Sequence, residues 1–326
     1  MLLLRGQADD LFFFRNFKMQ LHGEKLSKSM KLRTIDGKEK SCITVIAACI
    51  VHIKEKANER IKQMNTSIED VDIHWVLTVP AIWSEQARHF MIKAAEKTGI
   101  DRDNMSLALE PECAAVYCKH DELVRDEDQR NSALQFFRPG SKFMVVDLEG
   151  GTVDITVSEV LESGKMKEIS KASGGKWGGD TINKKIVDVL NDIFGQHMHR
   201  LRSEEMNSYL ELLADIESAK REYDEEDDFT LRLPEFLQKQ VNVGELSKKF
   251  GNNIVIGKGE KHILFSQEMM KGIFNKCISD ITKHIVGLLQ EAIEVSEIIL
   301  VGGYASSPII QTAFEEEVLK YDVNAY

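Results

Sequence analysis

Two aspartates on either side of a glycine turn form the stretch of this chain that is best suited to chemistry. Within residues 143–157 an apolar run leads into Asp147, and Gly150-Gly151-Thr152 leads into Asp154 and an alternating segment. The pattern predicts a buried strand and a half-buried strand joined as a β-hairpin. Glycines let backbone N–H groups converge on an anion, and an aspartate ending a buried strand can hold hydrated Mg²⁺. The alternative is an ordinary hairpin that turns on glycines, since short glycine motifs often match by chance.

Further glycine turns occur where predicted elements meet. A glycine-rich run over residues 173–180 precedes a helix predicted from about Thr181. Near the end of the chain, the strand pattern of residues 298–301 runs into Gly302-Gly303, and Ser307 is the predicted N-cap of a last helix. Each turn places backbone amides at the end of a strand or the start of a helix.

The elements that must position these turns alternate between strands and helices. Residues 71–79 read as a strand, followed by a helix capped by Ser84, and a long helix follows Ser266. The apolar spacing from Ile43 through Ile53 to Ile61 predicts another helix with one buried face. This alternation predicts an α/β fold. Pro139-Gly140 marks the predicted boundary between two lobes, residues 1–138 and 139–326.

Composition excludes several classes of protein. The 326 residues carry a net charge of −11, which argues against binding to nucleic acids or to anionic membranes. No apolar run reaches transmembrane length, and the N-terminal leucines are too few for a signal peptide. The five cysteines lack the paired spacing of metal sites, so we expect reduced thiols and a cytoplasmic location.

Five stretches, taken in order, resemble the 70-kDa heat-shock protein family and in particular its atypical heat shock 70 kDa protein 12 branch. The resemblance implies the actin-like ATPase (ribonuclease H-like) fold, with two lobes around a nucleotide. The matching stretches are residues 77–81, 109–115, the hairpin at 142–157, residues 215–221 and residues 300–308. The region around Lys18 resembles the family more faintly.

The resemblance also implies roles for individual residues and for ligands. Lys18, Glu110 and Asp147 would be the catalytic residues, with Asp147 holding Mg²⁺ through water. ATP or ADP would be the bound nucleotide, and client proteins or co-chaperones are the implied protein partners. Gly178 and Gly179 would reach the nucleotide from the lobe opposite the hairpin. The full set of implied nucleotide contacts is Gly150, Gly151, Thr152, Gly178, Gly179, Glu217, Lys220, Arg221, Gly302 and Gly303.

Simpler explanations stay open for several of these residues. Lys18 can be read as an ordinary surface lysine, and Glu110, which precedes a proline, as a turn residue. Lys220 and Arg221 can be read as the solvent face of an amphipathic helix.

Two histidines outside the resemblance have a spacing that metal ligands can use. His197 and His199 could ligate a metal, but no third ligand is near in sequence, and surface histidines are the alternative.

Three departures from the family pattern argue against fast hydrolysis. No Asp-x-Gly-Thr hairpin is present, so we expect the first lobe to be incomplete. The family's closing helices and peptide-binding domain are also missing, so we expect the chain to be truncated at both ends. This predicts a fragment, a truncated gene product or a degenerate paralogue. Glu149 stands where the family has a glycine, which would cost about 1–2 kcal/mol if that position needs φ > 0. Ser306 stands where the common members have an adenine-stacking arginine.

Three functional hypotheses follow. The first is a slow ATPase module that couples nucleotide state to lobe closure. The second is a non-catalytic member that acts through protein contacts. The third and weaker one is a sugar or acetate kinase of the same superfamily. For this chain we expect Mg-ATP to raise the melting temperature little, and hydrolysis to be undetectable unless the missing hairpin is restored.

Overall fold

The chain forms two compact units in a computed structural model, Met1–Cys118 and Lys119–Tyr326. Whether the functional lobes divide at 138/139 stays a prediction. No helix in the described part of the chain is long and apolar enough to cross a membrane. The structure describes residues 2–5, 11–21, 27, 29–125, 137–257, 259, 261–291, 294–321 and 323–325.

The first unit consists of short paired strands and helices around an aromatic and aliphatic core. Strands β1 and β2 are antiparallel, as are β3 and β4, whereas β5 and β6 are parallel. Phe14, Leu32 and Val45 are fully buried in its core. Its elements are β1 Leu2–Arg5, β2 Leu11–Phe14, β3 Lys31–Arg33, β4 Glu39–Ser41, α1 Cys42–Met64, β5 Trp75–Val79, α2 Glu85–Glu96, β6 Met105–Leu109 and the start of α3 Glu110–Arg125.

Helix α1 forms as predicted, but only its first half is buried. The buried positions end at Ile50, and Ile53 is 65% exposed although its spacing places it on the predicted apolar face. The second half of α1 extends past the buried core, where Lys54 and Asn58 make polar contacts with Asp70. Periodicity identifies the face of a helix but not the length over which a core covers it.

The strand predicted from Val71 to Val79 starts later than expected. Residues Asp70–Asp72 form a 3₁₀ turn, and the backbone N–H of Glu69 donates to the Asp72 carboxylate at 3.0 Å. This capping contact stabilises the turn at Asp70–Asp72, and β5 begins only at Trp75. The predicted cap of the next helix is confirmed, because Ser84 Oγ accepts from the Ala87 N–H.

The second unit contains a five-stranded mixed sheet and a three-stranded antiparallel sheet with helices packed on them. The larger sheet has the order β14-β13-β7-β8-β9, and the smaller has the order β10-β12-β11. Its elements are β7 Lys142–Leu148, β8 Val153–Val160, β9 Met166–Gly175, α4 Asp180–Phe194, α5 Gln196–Glu204, α6 Met206–Glu222, β10 Phe229–Arg232, α7 Glu235–Gln238, α8 Val243–Phe250, β11 Ile254–Ile256, β12 His262–Phe265, α9 Gln267–Gln290, β13 Glu297–Val301, α10 Pro308–Glu317 and β14 Asn324–Ala325.

Strand β7 lies at the centre of the larger sheet and explains the predicted hairpin. Its apolar run from Phe143 to Val146 is buried, as a strand covered on both faces must be. It pairs antiparallel with β8, opposing Asp147 to Asp154, and parallel with β13, opposing Asp147 to Val301. The sheet register therefore brings the hairpin tip and the loop after Val301 to the same edge.

The N-cap predicted at Ser307 differs from the one at Ser266. Ser266 Oγ accepts from the Met269 N–H at 3.2 Å, whereas the Ser307 side chain makes no capping bond to α10. We therefore expect Ser266→Ala to lower the free energy of unfolding by about 1 kcal/mol through the lost cap. The matched variant Ser307→Ala should lack this loss. Urea denaturation of both variants checks the difference, and equal losses would contradict the assigned caps.

Candidate functional site

The hairpin tip closes tightly and leaves backbone donors available. The Glu149 N–H donates to the Thr152 carbonyl at 3.0 Å, so Gly150 and Gly151 form the turn. Within the described residues, no backbone hydrogen bond uses the N–H of Gly150 or Gly151. Asp147, at the end of β7, is 6% exposed. Such a tip offers amide donors to an anion next to a carboxylate.

The start of helix α4 packs directly onto this tip. Gly179 donates its N–H to the Glu149 carbonyl at 3.1 Å, and Asp180 donates its N–H to the Gly150 carbonyl at 2.7 Å. A Cβ on Gly178 would lie 2.5 Å from both of those carbonyl oxygens, closer than real Cβ contacts. Only glycine at 178 allows this approach, so the glycine run that the sequence singled out fixes the hairpin to α4.

The loop after β13 meets the hairpin from the other side. Gly302 has φ +92°, and a Cβ there would overlap the Leu148 carbonyl oxygen and lie 2.7 Å from Asp147 Oδ1. The Tyr304 N–H donates to the same Leu148 carbonyl at 2.8 Å. Glycine at 302 therefore leaves space beside the Asp147 carboxylate.

Four polar residues from two helices form a cluster, called here the α6 cluster: Asn183, Glu217, Lys220 and Arg221. Glu217 accepts from Lys220 Nζ at 2.7 Å, from Arg221 Nε at 2.8 Å and from Asn183 Nδ2 at 2.6 Å. Lys220 is 3% exposed, and its Nζ also donates to the Gly179 carbonyl at 3.2 Å. Helix α6 therefore joins its charged groups to the glycine loop that holds the hairpin.

The charge of Glu217 is stabilised by its donors. Burial raises its pKa, but the hydrogen bonds from Lys220 and Asn183 outweigh burial and leave the pKa below its ordinary value of 4.5. A carboxylate with a lowered pKa contributes stability above about pH 4.5, and this contribution is lost as the pH falls through its folded-state pKa.

The variant Glu217→Gln tests this charge. At pH 7 we expect it to lower the free energy of unfolding by roughly 1 kcal/mol, a modest figure because part of the side chain faces solvent. The difference from the native protein should shrink below pH 4.5, where the native carboxylate takes up its proton. Urea denaturation at both pH values measures it, and a loss that is independent of pH would refute the assignment.

The elements of the second unit enclose one pocket that joins the hairpin, the α6 cluster and the loop after β13. Its cavity volume is about 50 Å³. Its lining residues are Gly150, Gly179, Glu217, Lys220, Arg221, Gly303, Tyr304, Ser306 and Ser307. Six of these are residues that the sequence predicted as nucleotide contacts. For the predicted Thr152, the structure shows a buried side chain below the tip.

In the first unit the structure brings Lys18 and Glu110 together. Lys18 lies in a 3₁₀ turn after β2, Glu110 is the first residue of α3, and Lys18 Nζ donates to Glu110 Oε1 at 2.8 Å. Glu110 thus begins a helix, and the turn interpretation is wrong. The Lys18 side chain is ion-paired and 42% exposed, so the surface-lysine alternative stays open. Their catalytic role together with Asp147 stays a prediction.

Three expectations for the second unit need correction. Glu149 is not among the described residues with positive φ, so the strain expected at that position does not arise. Gly178 and Gly179 lie in the same unit as the hairpin, not opposite it. Lys220 is buried, which excludes the solvent-face interpretation for that residue, although Arg221 is largely exposed.

The structure also adds residues that sequence reasoning missed. Asn183 is 4% exposed and bonds Glu217, although it belongs to no motif. Tyr304 is buried beside Lys220, whose Nζ lies 5.7 Å from the ring centroid, and burial raises the pKa of its hydroxyl. The only sequence signal for Asn183 is its position three residues after Asp180, one turn into α4.

His197 and His199 do not form a metal site with other described residues. The ring of His197 packs against Phe236 at 6.4 Å, and His199 is exposed. Within the part of the chain that the structure describes, neither lies in a group of three side chains able to ligate one ion.

Comparison with known proteins agrees with this arrangement. The family model described as "Hsp70 protein" matches residues 13–324. Human heat shock 70 kDa protein 12A is 27% identical over 95% of this chain and 54% of its own length, and human heat shock 70 kDa protein 12B is 28% identical over the same shares. The chaperone protein dnaK of Cyanidium caldarium is 25% identical over 75% of this chain and 35% of its own length.

The family match covers nearly the whole chain, and the chain spans about half the length of the relatives of the 12A and 12B type. The α/β architecture and the glycine-flanked strands are those expected of the actin-like ATPase fold. The chain belongs to the Hsp70 family, in its heat shock 70 kDa protein 12A/12B-like branch.

Proposed function

We propose that the pocket of the second unit binds ATP or ADP. The observation that carries this proposal is the convergence of three separate stretches, at 150, 217–221 and 303–307, on one small polar pocket. Family membership supports it, because those are the stretches that resemble the nucleotide-binding elements of Hsp70 proteins.

Each wall of the pocket suits one part of a nucleotide. The amides of Gly150 and Gly151 would bind phosphate oxygens, which accept hydrogen bonds from backbone N–H groups. The Glu217 carboxylate would accept from ribose hydroxyls, since it has about four lone-pair sites and three are used by the α6 cluster. Gly303 would allow the base to approach the backbone closely.

A magnesium ion fits the donor chemistry of the hairpin. The Asp147 carboxylate is a hard oxygen ligand, and glycine at 302 leaves space beside its Oδ1. Mg²⁺ bound there through water would neutralise phosphate charge. Asp147 would orient the hydrated ion, and the backbone of Gly150 would hold the phosphates.

Two departures favour binding with little turnover. Glu149 adds a carboxylate to the hairpin tip, close to where phosphate oxygens would lie, and like charges at short range are costly where water is scarce. Ser306 donates its hydroxyl to the Gly303 carbonyl at 3.1 Å and offers no cation to stack on a base. The second candidate function is therefore a non-catalytic, cytoplasmic member whose nucleotide state controls contacts with other proteins.

Equilibrium binding of labelled ADP to the full chain tests the proposal. We expect Glu217→Ala to weaken binding by tenfold or more, because a charged hydrogen-bonding partner of the ligand is removed. Glu211→Ala, an exposed position on the same helix, should bind as the native protein does. Equal affinities of the two variants would contradict the assigned pocket.

A further inference from the structure

Asn183 lies behind the pocket wall and bonds Glu217, one of the residues that line the pocket. Its side chain lies in the first turns of α4, 4% exposed, and its Nδ2 donates to Glu217 Oε2 at 2.6 Å and to Asp180 Oδ1 at 3.2 Å. An amide nitrogen with two protons can satisfy two carboxylates at once, which no other uncharged side chain of this size does. Two negative groups are thereby held by one neutral donor.

These contacts connect the hairpin tip to helix α6 through hydrogen bonds of residues at the start of α4. Asp180 donates its backbone N–H to the Gly150 carbonyl, so the residue whose carboxylate Asn183 holds is also the residue that anchors the tip. On the other side, Glu217 is bonded to Lys220, which donates to the Gly179 carbonyl. Asn183 is the direct side-chain link from the tip-anchoring turn of α4 to Glu217.

We propose that Asn183 is a positioning residue of the nucleotide site, which fixes the Glu217 carboxylate toward ribose and ties it to the phosphate-binding hairpin. The proposal rests on the nucleotide function proposed above and adds a residue that belongs to none of the motifs. Asn183 itself need not touch the nucleotide, since it acts through Glu217.

The surroundings of Glu217 make its titration a direct probe of this role. The charged or titratable groups that face it are Lys220 and Arg221 from α6 and Tyr304 from the loop after β13, with Asp180 behind Asn183 on α4. Asn183 is one of the donors that keep the pKa of Glu217 low. Removing this donor should raise that pKa, because a hydrogen bond to the charged form is lost.

The experiment follows two quantities in the full chain: the pH midpoint of Glu217, from carboxyl-carbon NMR without nucleotide, and the affinity for ADP. Asn183→Ala removes the donor, and Asn183→Leu removes it without adding charge while roughly keeping the volume. Asn191→Ala, an exposed position on the same helix, is the control. We expect both Asn183 variants to raise the Glu217 midpoint by about one pH unit and to weaken ADP binding about tenfold, with no change in the control.

The outcomes separate the two proposals. A role in packing alone would lower the melting temperature of Asn183→Ala without moving the Glu217 midpoint, and that result would overturn the positioning role. An unchanged midpoint in Asn183→Leu, which has nearly the same volume, would overturn it as well. If the native chain bound no ADP while the Glu217 midpoint still moved in the Asn183 variants, the proposed nucleotide function would be wrong. The hydrogen bond from Asn183 to Glu217 would still be supported.

Discussion

Gly302→Ala is expected to lower the free energy of unfolding by about 2–5 kcal/mol and to abolish nucleotide binding. A left-handed φ of +92° costs an alanine roughly 1–2 kcal/mol. The added Cβ would overlap the Leu148 carbonyl and crowd Asp147 Oδ1, and overpacking adds about 1–3 kcal/mol. The clash is with backbone, so no side-chain rotation relieves it. Thermal unfolding should show a drop of about 2–4 °C per kcal/mol.

Gly287→Ala is the matched control for this substitution. Gly287 lies in helix α9, is exposed, and a Cβ there meets nothing within 4 Å. Alanine should stabilise the helix by about 0.5–1 kcal/mol, because it loses less backbone entropy on folding. If Gly302→Ala were as stable as the native protein and bound ADP equally well, the close approach of the β13 loop to the hairpin would be refuted.

Lys220→Met is expected to have the second largest effect. Its buried Nζ donates to both Glu217 Oε2 and the Gly179 carbonyl, so methionine fills the volume but removes one donor from each acceptor. Breaking a buried ion pair costs about 3–5 kcal/mol, and the partial exposure of Glu217 reduces this to about 2–3 kcal/mol. We expect ADP affinity to fall at least tenfold, because Glu217 loses one of the three donors that orient it.

A surface lysine provides the control for this variant. Lys184 is exposed on α4, close in sequence to the pocket wall, and Lys184→Met should change stability by less than about 0.5 kcal/mol. Urea denaturation and ADP binding measure both variants. Equal behaviour of Lys220→Met and Lys184→Met would show that the buried lysine does not support the pocket.

Much of the site could be predicted from the sequence because local rules set its geometry. The apolar run before Asp147 requires a buried strand, and the glycines at 178 and 302 mark close approaches of backbone that a Cβ would block. Steric restrictions on the backbone act over a few neighbouring residues, so they can be predicted from one sequence. The order of these turns then identified the family, and the family identified the fold.

Other features depend on tertiary contacts, so the sequence alone does not predict them. Asn183 has no motif, and its importance arises only when α4 and α6 pack side by side and bring it to Glu217. Ile53 matches the helical period but lies where α1 has left the core. Ser307 has the residue type of an N-cap, yet its hydroxyl makes no capping bond, because residue type alone does not set the rotamer.

The central claim is that the polar pocket of the second unit binds an adenine nucleotide, and calorimetric titration of the full chain with ADP and Mg²⁺ tests it most directly. We predict a saturable, single-site heat that is absent in Gly302→Ala. Near half saturation, ADP should raise the free energy of unfolding of the native chain by only about 0.4 kcal/mol, so its melting temperature should rise little. No heat from the native chain up to millimolar ADP would contradict the claim.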